Sequence, residues 1–350
     1  MCLSKLALCA SLAVLTAAGQ TFITATPRTS PRAVAVERIA LTDVTIAYHR
    51  PLVGGRKVWD GIVPYGQVWR AGANENTTIE FSDPVSVEDH PLGKGIYGLH
   101  MIPGPDSWTI VFSKNYTSWG SFTYKQDEDA LRVVVKPQPG EFHEALAYEF
   151  DDVKPDSAVA TLRWEKLAVP FRVSVAKEVT LQNIRNQLRN IAQYAWQGWD
   201  EAAAYCVQAK VNLEEALKWS DTSIGLEERF DNLMTKASVL GALNRADDAN
   251  AARARAMEVG NATQVYFYAR QLQTRKQKPD AVAIYRAVAR RFPQHWLGHM
   301  AQARVYAADG DFAEAIQEVK AAEAAGPPEL QKPNMESLIK RLENKEDING

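Results

Sequence analysis

A repeat of about 33 residues constrains the fold of this chain more than any other sequence feature. In the C-terminal half, four pairs of an acidic residue followed by alanine recur at a regular interval, and the spacings between their alanines are 33, 32 and 34 residues. A second alanine stands twelve residues before each of them. Small residues at two places per repeat let paired helices approach closely. The paired alanines are Ala204 and Ala216, Ala237 and Ala249, Ala269 and Ala281, and Ala303 and Ala315.

This pattern resembles the tetratricopeptide repeat over about residues 197–328. Pro293 and Pro327 lie twelve residues after the third and fourth copies, where a proline ends the second helix of a pair. Gly310 marks the turn between helices in the fourth copy. We therefore expect tetratricopeptide-like repeats over residues 179–328, then a capping helix and a frayed acidic tail over 329–350. Arrays of this kind present a concave surface for a protein or peptide.

The N-terminal half has a different period. Aromatic and β-branched residues alternate with polar ones in short runs, which Pro, Gly and Asp turns separate. About eight or nine short strands at this spacing predict an antiparallel β-sandwich, which we place at residues 34–178. The fold class expected for the chain is thus an antiparallel β-sandwich followed by an α-helical tetratricopeptide-like repeat array. The clearest predicted strands are residues 44–49, 77–82, 108–113, 131–136, 146–150, 160–165 and 169–175.

Residues 1–19 have the features of a signal peptide. Lys5 precedes an uncharged apolar run, and Ala17 and Gly19 supply the small side chains of a cleavage site. If the segment extends to residue 25, it is long enough to remain as an uncleaved anchor, and that alternative stays open. Residues 20–33 are expected to form a flexible lead-in. The expected location is exported, either periplasmic or secreted.

Charge and cysteine content exclude several classes of protein. The chain has 40 Lys and Arg against 42 Asp and Glu, a net charge of -2, so no strong basic field attracts nucleic acid. A membrane partner is expected only if the signal stays uncleaved. Removal of the signal leaves Cys206 as the one cysteine, which excludes an internal disulfide. We expect no cofactor and no metal.

Two motifs have tempting chemistry and ordinary explanations. Gly93, Gly95 and Gly98 fit the G-x-G-x-x-G pattern of dinucleotide binding, but the residues that follow predict a strand and a turn rather than the required helix. His295 and His299 have the i, i+4 spacing of metal ligands on a helix, but no third ligand is evident nearby. We interpret both motifs as structural.

One polar constellation in the first half stands out. Arginine forks suit carboxylates, phosphates and sugar hydroxyls, and Trp69, Trp108 and Trp119 could offer flat stacking faces. The structural alternative is that Arg70 pairs with Glu75, that Asn74 takes a left-handed turn position, and that the tryptophans fill the core. Both interpretations stay open. The candidate ligand-binding residues are Arg50, Arg56, Trp69, Arg70, Asn74 and Glu75.

The same segments carry a family resemblance. The runs YHRPLVGGRKVWDGIVPYGQVWRAGANENTTIEFS, GIYGLHMIPGPDSWTIVFSK, WGSFTYKQDEDALRVVV and LRWEKLAVPF resemble a bacterial exported family catalogued as domain of unknown function 2911, over about residues 30–175. The resemblance implies a secreted or periplasmic β-rich domain and implies no reaction. It adds Arg132 to the candidate residues. Lys94 departs from the family pattern and puts in doubt a site built on its turn.

The leading functional hypothesis is a non-catalytic binding or scaffold protein of the cell envelope. Its repeats would hold a protein or peptide, and its sandwich would hold a polar ligand or a second partner. The alternative is an envelope hydrolase acting on saccharide or peptide through a carboxylate pair, for example Glu75 with Asp129. We name no catalytic residue, because the sequence has no activated nucleophile. A second carboxylate close to Glu75 in an open cleft would favour the enzyme.

Overall fold

A computed structural model describes residues 26–349. The chain forms two compact units that divide between Val179 and Thr180, the first built of strands and the second of helices. The predicted signal peptide, including its possible extension to residue 25, lies outside the described residues. No helix in the described range is both long and apolar enough to span a membrane.

The first unit contains a six-stranded antiparallel sheet in the order β1-β2-β3-β6-β7-β8. Its inward positions alternate with wetter ones, as the burial along β2 shows, which is the pattern of a sheet with one face on a core. The strands are β1 (Arg32–Ile39), β2 (Thr42–His49), β3 (Thr78–Phe81), β6 (Gly95–Ile102), β7 (Trp108–Ser113) and β8 (Asp129–Val135).

A four-stranded antiparallel sheet has the order β5-β4-β10-β9. The two predicted strands at 160–165 and 169–175 form one continuous strand instead. A register shift on each side of Glu165, which has φ +54°, marks a bulge that bends the strand without ending it. The strands are β4 (Val85–Val87), β5 (His90–Leu92), β9 (Gln138–Lys154) and β10 (Ser157–Ser174).

One hydrophobic core joins the two sheets and confirms the sandwich. It contains side chains from both, including Trp108 of the first sheet and Trp164 and Phe171 of the second. Full burial of side chains this large contributes roughly 2–3 kcal/mol each to folding. The G-x-G-x-x-G run enters β6 at Gly95, so no helix follows it.

The predicted flexible lead-in is partly ordered. Arg32 and Ala33 belong to β1, where Arg32 pairs with His49 in register. Upstream of the strand, Arg28 forms an ion pair with Glu75, and Ser30 accepts a hydrogen bond from Asn74. The lead-in therefore reaches the candidate site, because its polar groups find partners there that no local sequence pattern reveals.

The second unit is an array of helices. Four consecutive pairs, α2/α3, α4/α5, α6/α7 and α8/α9, match the predicted repeats, and α10 follows them. The helices are α1 (Lys177–Gln187), α2 (Trp196–Ala209), α3 (Leu213–Leu226), α4 (Phe230–Ala242), α5 (Ala246–Val259), α6 (Ala262–Thr274), α7 (Lys278–Arg291), α8 (Trp296–Asp309), α9 (Phe312–Ala324) and α10 (Lys332–Glu343).

Seven of the eight repeat alanines are buried, and Ala204 is exposed. Ala203 takes the buried position in α2, so the first pair packs one residue out of the predicted register. Its turn differs as well, because Lys210 and Asn212 both have positive φ whereas each later turn has a single such residue. A shift of one residue turns a helical side chain by 100°, so the neighbouring alanine meets the partner helix instead.

The tail after α10 is held in place, and the predicted frayed end is wrong for the described residues. Ile348 is 1% exposed within the core of the last two repeats. The buried Arg304 donates through Nη1 to the carbonyl of Ile348 at 2.6 Å, and Asn349 donates to the carbonyl of Arg304 at 2.8 Å. Lys278 pairs with Asp347. The tail therefore acts as part of the cap of the array.

Candidate functional site

The loop after Trp69 is anchored at several points in the sandwich. Trp69 exchanges two backbone hydrogen bonds of 2.8 Å with Met101 of β6. Ala71 is fully buried with φ +50°, and its carbonyl accepts from the hydroxyls of Thr77 at 3.2 Å and Tyr148 at 3.0 Å. A buried non-glycine residue in the left-handed region costs roughly 1 kcal/mol and persists only where its surroundings impose it. The loop is thus a rigid support for the residues on either side.

Arg70 stands on this support and lines a cavity of about 550 Å³. Its side chain is half-buried, its Nε is fully buried, and no acceptor or carboxylate among residues 26–349 bonds its guanidinium. Burial lowers the pKa of Arg70 below its ordinary value. A Cβ on Gly120 would lie 3.3 Å from Nη1 of Arg70, so the missing side chain there leaves room for the guanidinium.

The wall of this cavity has a clear charge bias. Arg56 and Arg70 are its two charged lining residues, and none of the described residues along it is acidic. Polar backbone from Gly72 to Asn74 forms another part of the wall. The lining residues are Thr29, Ser30, Pro51, Leu52, Gly54, Arg56, Ile62, Val63, Trp69, Arg70, Gly72, Ala73, Asn74 and Trp164.

A tryptophan cluster forms the apolar side of the cavity. Trp69 and Trp164 stack with ring centroids 5.9 Å apart and an interplanar angle of 19°, and Trp59 meets both rings edge-on. Trp108 is 1% exposed, so the expectation that it offers a stacking face is wrong. Trp119 is 53% exposed, and the guanidinium of Arg28 lies 5.9 Å from its ring centroid.

Glu75 pairs with Arg28 and not with Arg70. Both carboxylate oxygens accept from Nη1 of Arg28, at 2.7 and 2.8 Å, and one lies 3.3 Å from Nε2 of His49. The hydrogen bond from Arg28 holds the pKa of Glu75 below its usual value, whereas burial lowers the pKa of His49. The structural alternative was therefore wrong about Glu75. It was right about Asn74, which has φ +59°.

Arg50 and Arg56 mainly brace the backbone. Nε of Arg50 donates to the carbonyl of Leu146 at 2.8 Å, across to β9. Nε of Arg56 donates to Val53 at 3.0 Å, and its Nη2 donates to Leu52. Arg50 does not line the Arg70 cavity, while Arg56 does.

Arg132 belongs to a separate polar group on the six-stranded sheet. It donates to Asp129 at 2.6 Å and to the hydroxyl of Tyr124 at 2.7 Å, and that hydroxyl donates to the same Asp129 oxygen at 2.7 Å. His100 lies beside them, its ring centroid 5.5 Å from that of Tyr124 and its Nδ1 2.9 Å from Oγ of Ser121. Burial lowers the pKa of His100 to about 4.

These contacts do not assemble the carboxylate pair that an enzyme would need. Glu75 bonds Arg28, and Asp129 bonds Tyr124 and Arg132, so each belongs to a different hydrogen-bonded group. A general acid needs a pKa raised towards neutral pH, and Glu75 is shifted the other way. The predicted candidates thus divide into four places: Arg70 with Arg56, Trp69 and Asn74; Arg50; Glu75; and Arg132.

Sequence analysis missed Arg28, His49 and His100. Arg28 was assigned to the lead-in, and the two histidines lie in strands β2 and β6, where no local sequence signal marks a polar partner. The motif histidines of the array have local roles: Nδ1 of His295 caps α8 at the amide of Leu297, and His299 pairs with Glu318 at 2.7 Å. Within the described residues, no group of three or more His, Cys, Asp or Glu side chains is placed to hold a metal ion.

The array carries a groove of its own, of about 620 Å³, between α5, α6 and α7. It lies where one buried cluster ends at Ala252 and the next begins at Ala262. Tyr268 and Ile284 supply apolar surface, and Arg275 has no ion pair with any described residue. The lining residues are Asn250, Arg253, Tyr268, Leu272, Arg275, Gln277, Asp280, Ala283 and Ile284.

The fold and these cavities define a β-sandwich joined to a helical-repeat array. Residues 30–173 match the family model described as "Protein of unknown function (DUF2911)". The family resemblance of the first half is thereby confirmed, and the family itself assigns no activity. No curated protein matches the chain.

A solved structure that matches part of this chain is that of YrrB, described as a TPR protein with an unusual peptide-binding site. The two chains are 17% identical, and the match covers 46% of this chain and 83% of that one, with a TM-score of 0.27. A similarity at that level supports no inference about what this chain binds.

Proposed function

We propose that this protein is a non-catalytic binding protein of the cell envelope. The sandwich holds a polar ligand in the Arg70 cavity, and the helical array holds a protein or peptide partner. One observation carries the proposal. The acidic candidates Glu75 and Asp129 are engaged in internal pairs, whereas Arg70 alone among the candidate arginines has no acceptor within the described residues.

An unpaired, half-buried guanidinium supports binding because desolvating a charge without a partner is costly. A ligand that accepts its hydrogen bonds recovers that cost. The cavity is also of the size that small ligands occupy, since such sites measure about 300–1,000 Å³. The rigid loop from Trp69 to Thr77 supplies the preorganisation that ligand affinity requires.

In the array, the groove between α5 and α7 is the best candidate for the partner. Its charged residues are Arg253, Arg275 and Asp280, a net positive set, so an acidic or polar peptide fits it best. By contrast, the cleft between α3 and α5 has its charges paired internally, for example Lys236 with Asp221 and Arg255 with Glu228.

The array assignment is tested on a peptide array probed with purified protein. We expect binding to a subset enriched in Asp and Glu, and a loss of at least about tenfold in affinity for those peptides in Arg275→Glu and Tyr268→Ala. Arg290→Glu is the matched control, because Arg290 is an exposed arginine of α7 that does not line the groove. Equal losses in all three variants would refute the groove.

The sandwich assignment is tested by thermal shift against saccharides, nucleotides, peptidoglycan fragments and small organic acids. A ligand present at 100 times its dissociation constant adds about 2.7 kcal/mol to stability, a clear rise in Tm. The proposal requires that Arg70→Gln remain folded and lose the shift. A shift that survives in that variant would place the ligand elsewhere.

Export is part of the same proposal, and its support is the sequence of residues 1–19. A hydrolase gains no support, because no contact brings a second carboxylate to Glu75 and the pKa of Glu75 lies below its ordinary value.

A further inference from the structure

We infer that the ligand of the Arg70 cavity is a small carboxylate carried on a flat, apolar body. The inference rests on the proposed ligand-binding role of the sandwich and specifies its chemistry. Three features of the cavity support it: the charge of its lining, the number of guanidinium groups without a described acceptor, and the apolar side chains of the lining.

The charge of the lining selects an anion. Two arginines and no acidic side chain line the cavity among the described residues. The nearest carboxylate in the loop, that of Glu75, lies outside this lining and is already neutralised by Arg28. A neutral sugar would leave the guanidinium of Arg70 without a counter-charge in a partly desolvated place, whereas an anion supplies one.

The number of guanidinium groups without a described acceptor favours a single planar anion. Arg56 already donates to two backbone carbonyls, so Arg70 is the one guanidinium of the lining with all its donors unspent on described residues. One planar guanidinium matches one carboxylate in a bidentate pair. A phosphate dianion would need more positive charge than one free arginine provides.

Backbone donors stand beside that guanidinium. Gly72, Ala73 and Asn74 line the same cavity, and their backbone amides donate to no acceptor within residues 26–349. The positive φ of Ala71 and Asn74 on either side holds this stretch in a non-extended loop. Successive free amides in such loops favour anions.

The apolar residues of the lining favour a ligand with an apolar body. The half-buried Trp69 lines the cavity, Trp164 is 1% exposed and only supports it, and Leu52 and Ile62 contribute exposed aliphatic surface. Ile62 is 43% exposed, which leaves apolar surface in water until a ligand covers it. A carboxylate on a flat ring would satisfy both walls together.

The test is calorimetric titration of the purified full chain with benzoate, benzamide and phenyl phosphate, which share a ring and differ in head group. We expect benzoate to bind saturably, and both other probes to bind at least about tenfold more weakly. Arg70→Gln should weaken benzoate by about tenfold or more. Arg38→Gln should leave the benzoate affinity unchanged, because Arg38 is an exposed residue of the edge strand β1 and pairs with Asp43.

A second pair of variants covers the case in which Arg70→Gln does not fold. Ile62→Glu and Ile62→Gln have the same shape and differ in one charge at the rim of the cavity. Repulsion should weaken benzoate by about threefold in the glutamate variant relative to the glutamine variant. Equal affinity in those two variants would count against an anion at this place.

Other results overturn the inference in distinguishable ways. Equal affinity for benzoate and benzamide would remove the role of charge, and tighter binding of phenyl phosphate would replace the carboxylate by a phosphate. If benzoate fails but a neutral ligand gives an Arg70-dependent thermal shift, the ligand class is wrong and the proposed function stands. If benzoate and the thermal-shift library all fail, both are wrong.

Discussion

At the scale of single residues, burial sets the direction of the pKa shift of two histidines, His49 and His100. His49 and His100 both lie next to carboxylates that would favour their charged forms, yet burial outweighs those carboxylates and lowers both pKa values. Burial also lowers the pKa of Arg70, where no described carboxylate opposes it. In each case the sequence offers a titratable group, and its position in the fold decides the protonation state that it prefers.

His100 leads to a prediction about stability and pH. Its pKa falls from 6.5 to about 4 on folding, so the unfolded chain binds a proton that the folded chain refuses between these values. Stability should therefore decline as pH falls from about 6.5 to about 4, by roughly 3 kcal/mol from this group. Urea denaturation at a series of pH values measures the slope.

The variant His100→Asn should reduce this slope. It should not abolish it, because burial also lowers the pKa of His49 and acts in the same direction. His90→Asn is the matched control, since His90 is an exposed histidine of β5, and it should leave the slope unchanged. An unaltered slope in His100→Asn would contradict the assignment.

At the scale of elements, the space around a helical glycine determines whether the array tolerates a side chain at that position. Gly298, in the first turn of α8, packs against the chain that enters the helix, and a Cβ there would overlap the carbonyl oxygen of Phe292. Gly241, near the end of α4, has no atom within 4 Å of such a Cβ. Of these two positions, Gly298 has no room for a side chain, whereas Gly241 does.

Substituting these glycines by alanine should therefore have opposite effects. Gly298→Ala should destabilise the chain by about 2 kcal/mol, because the backbone has to move to admit the methyl group. Gly241→Ala should stabilise it by up to about 1 kcal/mol, because alanine favours the helix and meets nothing. Denaturant midpoints compare them, and a loss of stability in Gly241→Ala would show that its neighbourhood is tighter than described.

At the scale of the whole molecule, the two units have separate hydrophobic cores. One core joins the two sheets, and the helical clusters lie in the second unit. The proposed function places a small ligand on the first unit and a protein or peptide on the second. That arrangement needs no communication between the units.

Export yields a prediction at this scale. When the chain is expressed in a bacterium, we expect the protein in the osmotic-shock fraction to begin near Gln20, as cleavage after Gly19 requires. N-terminal sequencing of that fraction measures it. Intact residues 1–25 in the membrane fraction would instead support the anchor, and intact protein in the cytoplasm would contradict export.

The sequence by itself determined the architecture, since periodicity is a local property. Alternation with period 2 predicted the sandwich and located strands such as β2, β7 and β8, though not β1, β4 or β5, and the alanine spacing identified the four helical pairs. The errors lie where a neighbour in space decides. Glu165 bulges within a continuous strand, and Ala203 displaces Ala204 in the first pair, because packing partners and not propensity set register.

The candidate site was decided largely by tertiary structure. The sequence identified Arg70 and Asn74, but it could not tell that Glu75 would choose Arg28, 47 residues away, over its neighbour Arg70. Ion pairs form between groups that the fold brings within about 4 Å, whatever their distance along the chain. That choice left Arg70 without an acceptor among residues 26–349, and this guanidinium is the feature on which the proposed ligand site rests.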